Sequence, residues 1–205
     1  LREAFPQLVI LRGIEVHTAT GEDIVVLGIT DSSLFHRYMK DAVLGEIINE
    51  YQGAAILAHP YRYQNTVSAE SLKLPLHGVE IASSNIRKYM QEPTSRLISE
   101  YNLCPIVSSD AHWPENMGLY GVEFAYRVTT ESQLAAAIRQ GDFKLFMNGP
   151  RVKQINTELE DEISLARRLM SQGYSNYEIR DLCGFSLSML GALRADREVK
   201  LITIP

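Results

Sequence analysis

Asp110 and His112 stand two residues apart in the stretch Cys104 to Trp113, C-P-I-V-S-S-D-A-H-W. On an extended chain, side chains two apart point the same way. A carboxylate and an imidazole therefore emerge together where an apolar run ends. Three other apolar runs carry comparable groups: Gly13-Ile14-Glu15-Val16-His17, Leu57-Ala58-His59-Pro60 and Gly78-Val79-Glu80-Ile81. Imidazole nitrogens and carboxylate oxygens without sulfur suit Zn, Mn or Fe. A charge such as Glu15 inside a strand is costly unless paired or metal-bound. Taken singly, a His-Pro after a strand is more often structural than a ligand. The coincidence at successive strand ends is what points to a metal. Arg62, just beyond His59-Pro60, presents a planar guanidinium that matches phosphate oxygens, and Trp113 is placed to flank a pocket. His17, two residues past Glu15, could share its face. His36 reads as a helix position and His77 as a position before a glycine turn, both at the surface.

These groups need elements to hold them. Short apolar, β-branched segments at Leu8–Val16, Ile24–Ile29, Ala54–Ala58, Val79–Ala82, Ile106–Ser108 and Val122–Tyr126 read as buried strands. Thr20-Gly21-Glu22-Asp23 reads as a turn that joins the first two in a hairpin. Helical stripes run over Leu34–Tyr51, Ile86–Tyr101 with a break at Pro93, and Ser132–Arg139. Alternating strands and helices imply an α/β class with a largely parallel sheet, whose strands' carboxyl ends share one face. From Arg151 the pattern turns helical, at Leu159–Gln172, Asn176–Cys183 and Ser188–Arg197. The expected division is residues 1–150 and 151–205.

Bulk properties bound the function. The chain has 205 residues, 45% hydrophobic, enough for one full domain with a small appendage. Its net charge of −5 argues against general attraction to polyanions. Two distant cysteines, Cys104 and Cys183, exclude a disulfide framework and a thiolate zinc site, and fit a reducing, cytoplasmic setting. No apolar run is long enough to span a membrane, and no signal peptide is visible.

The set Gly13-Ile14-Glu15, Ala58-His59-Pro60 and Ser109-Asp110-Ala111-His112 resembles the PHP family, the polymerase and histidinol phosphatase domain. Gly78-Val79-Glu80-Ile81, Met117-Gly118 and the segment Val128–Phe143 add to the resemblance, which covers residues 8–147. It implies a distorted (β/α)7 barrel, two or three divalent metals, and hydrolysis of a phosphate ester on a small phosphorylated substrate by a metal-activated water. By resemblance Glu15, His59, Asp110 and His112 are metal ligands, with Asp110 and His112 acting in the reaction. Glu80 and Asn85 stand behind them, and Arg62, by its adjacency to His59-Pro60 rather than by the resemblance, is expected to bind substrate. Family chains begin with an H-x-H strand and a D-H strand, and neither occurs among the five histidines here. The barrel is therefore expected to be N-terminally incomplete. The sequence could be a fragment, a degenerate member, or a chain completed by another.

The tail, Ser175 to Leu190, resembles a helix-turn-helix around Cys183-Gly184-Phe185-Ser186. Two features disfavour DNA. The second helix opens Leu187-Ser188-Met189, poor in groups for base edges. Residues 151–205 also balance eight basic against eight acidic side chains. Packing or homo-oligomer contacts fit the tail better. The competing reading of the chain is a non-catalytic barrel whose helix-turn-helix serves regulatory or nucleic-acid-associated binding.

Overall fold

A computed structural model describes residues 3–204. Two strands, β1 (Gly13–His17) and β2 (Asp23–Leu27), form the expected hairpin, paired Gly13↔Leu27 through His17↔Asp23. Gly21, at φ 90°, takes the left-handed turn position that glycine adopts without steric cost. The turn is pinned from outside: Asp41 accepts hydrogen bonds from Thr20 Oγ1 (3.1 Å) and Ser71 Oγ (2.5 Å).

β2 pairs antiparallel with β3 (Ala54–Leu57), which pairs parallel with β4 (Leu76–Ala82), which pairs parallel with β5 (Pro105–Val107). β3 is buried along its whole length because both faces are covered. Ala55 and Leu57 pack with Leu44 and Ile48 of α1 (Asp41–Glu50) and Leu97 of α2 (Gln91–Tyr101). Ala54 and Ile56 pack with Ala135 and Ile138 of α3 (Glu131–Gln140). The period-2 alternation of a strand thus feeds two cores.

The expected (β/α)7 barrel is not present. Only β3 to β5 run parallel, and the five-stranded sheet stays open between β1 and β5. β6 (Tyr120–Phe124) and β7 (Phe143–Met147) form their own antiparallel pair. The physical reason lies in the hairpin: two antiparallel steps at the start of the sheet replace the βα crossovers that a barrel requires.

Several boundaries also differ from expectation. Leu8 to Arg12 lie outside β1, with Leu8 and Val9 exposed and unpaired in any strand. The helical stripe from Leu34 resolves into a short 3-10 turn, Ser32–Leu34, capped by Asp31, and then α1 from Asp41. His36 lies in the connection between them, not on a helix. His77 is no surface turn residue. It sits within β4 at an irregularity of the β3–β4 register, where its Nδ1 accepts the Ala55 N–H at 3.1 Å. β7 (Phe143–Met147) has no counterpart among the strands expected from the sequence.

The remaining helices are α4 (Gly149–Ser171), α5 (Asn176–Cys183) and α6 (Leu187–Arg194). They share a core of Ala166, Ile179, Phe185, Leu190 and Leu193. The chain then returns to the sheet. Leu201, Ile202 and Ile204 pack on Ala82, Ile86, Val107 and Tyr120, and Tyr120 donates to the Ile202 carbonyl at 2.6 Å. No helix among the described residues is long and apolar enough to cross a membrane.

Candidate metal centre

The hairpin register builds the first part of the site. Ile14 and Val16 face the core, so Glu15 and His17 face the other way. Asp23 lies directly opposite His17 and joins that face. His17 Nδ1 donates to Asp23 Oδ1 at 2.6 Å. The second part comes from the end of β3. His59 has a left-handed backbone, φ 25°, a conformation that costs a non-glycine residue on the order of 1 kcal/mol. It turns the imidazole toward the hairpin, where Nε2 donates to Glu15 Oε1 at 3.1 Å and lies 3.8 Å from Asp23 Oδ2.

Glu80 holds His59 from behind. Buried on β4, it accepts the His59 backbone N–H at 3.0 Å on one oxygen and the Ser108 hydroxyl on the other. One carboxylate therefore ties together the ends of β3, β4 and β5. Burial pushes the Glu80 carboxyl up to about 7, against the lowering effect of both hydrogen bonds. The close packing of Gly78 explains the glycine in this motif. A Cβ there would lie 2.3 Å from Ile106 Cδ1 and 3.0 Å from the Cys104 carbonyl.

The third part is the S-D-A-H loop after β5. Ser109 Oγ donates to the Tyr120 carbonyl and accepts from Gly118 N–H, both at 2.9 Å, which clamps the loop. Asp110 has φ 41°. Its Oδ2 accepts from Asn85 Nδ2 at 2.6 Å, and lies 3.8 Å from Arg62 Nη1 and 3.9 Å from His59 Nε2. Asn85 is thus placed behind Asp110. His112 is exposed, and its Nδ1 donates to the Asp110 carbonyl at 3.1 Å.

Glu15, Asp23 and His59 each offer a ligand atom within 4.8 Å of the others. Of the residues expected as ligands, the fold brings Glu15 and His59 together, sets Asp110 at their edge, and leaves His112 outside this cluster. The sequence pattern does not reveal Asp23, because Thr20-Gly21-Glu22-Asp23 reads as a turn with Asp23 at its end. A turn ending one residue earlier would have placed it opposite His17. The donor set fits a divalent cation: one imidazole nitrogen and carboxylates, mixed hard and borderline donors.

The electrostatics reflect the carboxylates gathered around His59. The hydrogen bond from His59 holds the Glu15 carboxyl below its ordinary value. Burial works to lower the His59 pKa, but the Glu15 hydrogen bond and the charges of Glu80 and Asp110 outweigh it, so the imidazole is raised above 6.5. An open cavity of about 640 Å³ covers the group. Its wall includes Glu15, Asp23, His59, Arg62 and His112, with His36 and Arg37 on the rim.

No curated protein matches this sequence. Among solved structures, the chain is similar in fold to PsfC from Pseudomonas syringae PB-5123. The TM-score is 0.55 and the identity 13%, over 76% of this chain and 66% of that one. The chain thus spans a little under two thirds of that protein's length. Residues 94–143, which contain Asp110 and His112, match the family model described as PHP-associated, consistent with a member of the PHP-domain family.

Proposed function

We propose that this chain carries the metal-binding face of a metal-dependent phosphoesterase. One observation supports this most: Glu15, Asp23 and His59, from two separate parts of the sequence, meet within 4.8 Å beside Asp110 and Arg62. A bound divalent cation would supply Lewis acidity toward a phosphoryl oxygen and activate a water for in-line attack. Glu15, Asp23 and His59 would hold it, with Asp110 completing the edge. Arg62 orients a non-bridging phosphate oxygen, since its guanidinium already reaches into the cavity next to Asp110. His112, exposed at the rim, passes a proton to the leaving alkoxide as the phosphorus–oxygen bond breaks. Glu80 and Asn85 keep His59 and Asp110 in position.

The test is release of inorganic phosphate from p-nitrophenyl phosphate with Mn or Zn added. His59→Gln and Asp110→Asn should each reduce turnover by about a hundredfold or more, the scale lost with a key electrostatic or proton-transfer group. Unchanged turnover in both variants would remove the assignment.

A further inference from the structure

A second cleft, of about 440 Å³, adjoins the metal face and shares Arg62, Tyr63 and His112 with it. Its far wall comes from the tail, at Gly184, Ser186, Ser188 and Met189 around the start of α6. Its floor holds Arg87. The Arg87 guanidinium donates through Nη1 to the Ser84 carbonyl at 2.7 Å, while its Nε is enclosed without a hydrogen-bond partner among the described residues. No ion pair to Arg87 occurs among the described residues, and no carboxylate lines the cleft. The backbone here is fixed from outside, because Arg87 bridges Leu201 and Lys88 N–H donates to the Lys200 carbonyl at 2.9 Å. Desolvation lowers the Arg87 pKa.

Arg87 is half-buried, and an enclosed guanidinium N–H such as its Nε is costly to leave without an acceptor. Two guanidiniums, Arg62 and Arg87, line one cleft with asparagine and serine groups; Arg62 has Asp110 at 3.8 Å, and Arg87 has no countercharge among the described residues. The geometry points to this cleft as a binding site for a second oxyanion of the substrate, a phosphate or carboxylate distinct from the ester phosphate at the metal face. This rests on the phosphoesterase reading above and narrows its substrate to doubly anionic esters. It also gives the tail a role, since α6 walls the cleft.

Trp113, the chain's single tryptophan, lines the cleft and is 70% exposed, so it reports on occupancy. Inorganic phosphate titrated onto the metal-free 205-residue chain, at constant ionic strength, should change Trp113 fluorescence saturably. Arg87→Gln and the charge-preserving Arg87→Lys should each weaken that binding by about tenfold or more, because a planar fork is not replaced by an ammonium. Circular dichroism establishes that both variants are folded. No saturable response in the parent chain, or unchanged affinity in a folded Arg87 variant, would overturn the site. Hydrolysis then separates the two oxyanions: alkanediol bisphosphates and ω-carboxyalkyl phosphates are compared with plain alkyl phosphates. A KM at least about tenfold lower for one dianionic series, lost in Arg87→Lys, identifies its oxyanion. Equal KM across all three series would overturn the substrate assignment. Absence of hydrolysis of every ester would instead contradict the phosphoesterase reading, while the metal-free titration still decides the cleft.

Discussion

Glu80 and His59 show how single residues set the character of the metal face. Each has a pKa raised in the metal-free protein, and Glu80 reaches about 7 because it is buried. A carboxyl whose folded-state pKa exceeds its unfolded value of 4.5 binds protons more readily in the folded state. Its stabilising contribution is full below 4.5 and is lost as pH rises through about 7. Glu80→Gln, measured by denaturant unfolding without metal, should therefore show a smaller loss of stability across that window than the parent chain. The same slope in both proteins would mean that Glu80 does not titrate there. For His59 the consequence falls on metal binding, since the imidazole must give up its proton to act as a ligand. Cation affinity should rise with pH up to and beyond 6.5, checked by calorimetric titration at several pH values. At this scale Glu15, His59 and Asp110 were legible in the sequence, because a charge at the end of an apolar run needs a partner. Asp23 was not, because its place depends on hairpin register, and one residue in the turn length changes the face it joins.

Elements convert those residues into a face. The β1–β2 hairpin aligns Glu15, His17 and Asp23, and Asp41 of α1 pins its turn. The β3–β4 step is adjusted by His77, whose Nδ1 replaces a ladder acceptor for Ala55 N–H. That bond needs a neutral imidazole, and burial lowers the His77 pKa below 6.5. Here the sign is opposite to that of Glu80. The contribution is present above 6.5 and is lost as pH falls toward the folded-state value. His77→Ala should cost about 1–3 kcal/mol above 6.5 by leaving a buried N–H unpaired, and this cost should shrink on acidification. A pH-independent difference in unfolding free energy would contradict this role. The strands at Ala54, Val79 and Ile106 were readable from β-branched runs. β7 was not, because Phe143 to Met147 is only partly buried and its partner β6 is distant in sequence. His36 was misplaced because the apolar stripe from Leu34 continues across a 3-10 turn and an extended connection before α1 begins.

At the scale of the whole molecule, an open mixed sheet stands where a barrel was expected. β3, β4 and β5 still deliver their carboxyl ends to one edge, and the hairpin adds Glu15 and Asp23 there. Strand order could not be read from the sequence, because apolar runs of similar length give no hint of which neighbours they choose. The tail closes the structure by returning Leu201, Ile202 and Ile204 to the sheet end. Asn156 fixes this return by accepting Leu201 N–H at 2.8 Å and donating to its carbonyl at 3.2 Å. Tyr120→Phe, which removes the hydroxyl bonded to the Ile202 carbonyl, should cost about 0.5–1.5 kcal/mol in thermal or denaturant unfolding. We propose that α5 and α6 serve as a packing and cleft-forming unit. Leu190, Ala192 and Leu193 of α6 are buried, and its exposed residues are Leu187, Ser188, Gly191 and Arg194, of which Arg194 is already bonded to Asn176 Oδ1 and the Tyr174 carbonyl, so the helix offers few groups to a DNA groove.

The most direct measurement is a titration of the metal-free chain with Mn or Zn, followed by elemental analysis, beside Glu15→Gln, Asp23→Asn and His112→Ala. The expected result is near-stoichiometric metal in the parent chain. Affinity should be weakened by about tenfold or more in the Glu15 and Asp23 variants, as for loss of a ligand, and by much less in His112→Ala, which lies outside the cluster. Binding that survives both carboxylate changes, or no binding by the parent chain, would contradict a metal centre built on Glu15, Asp23 and His59.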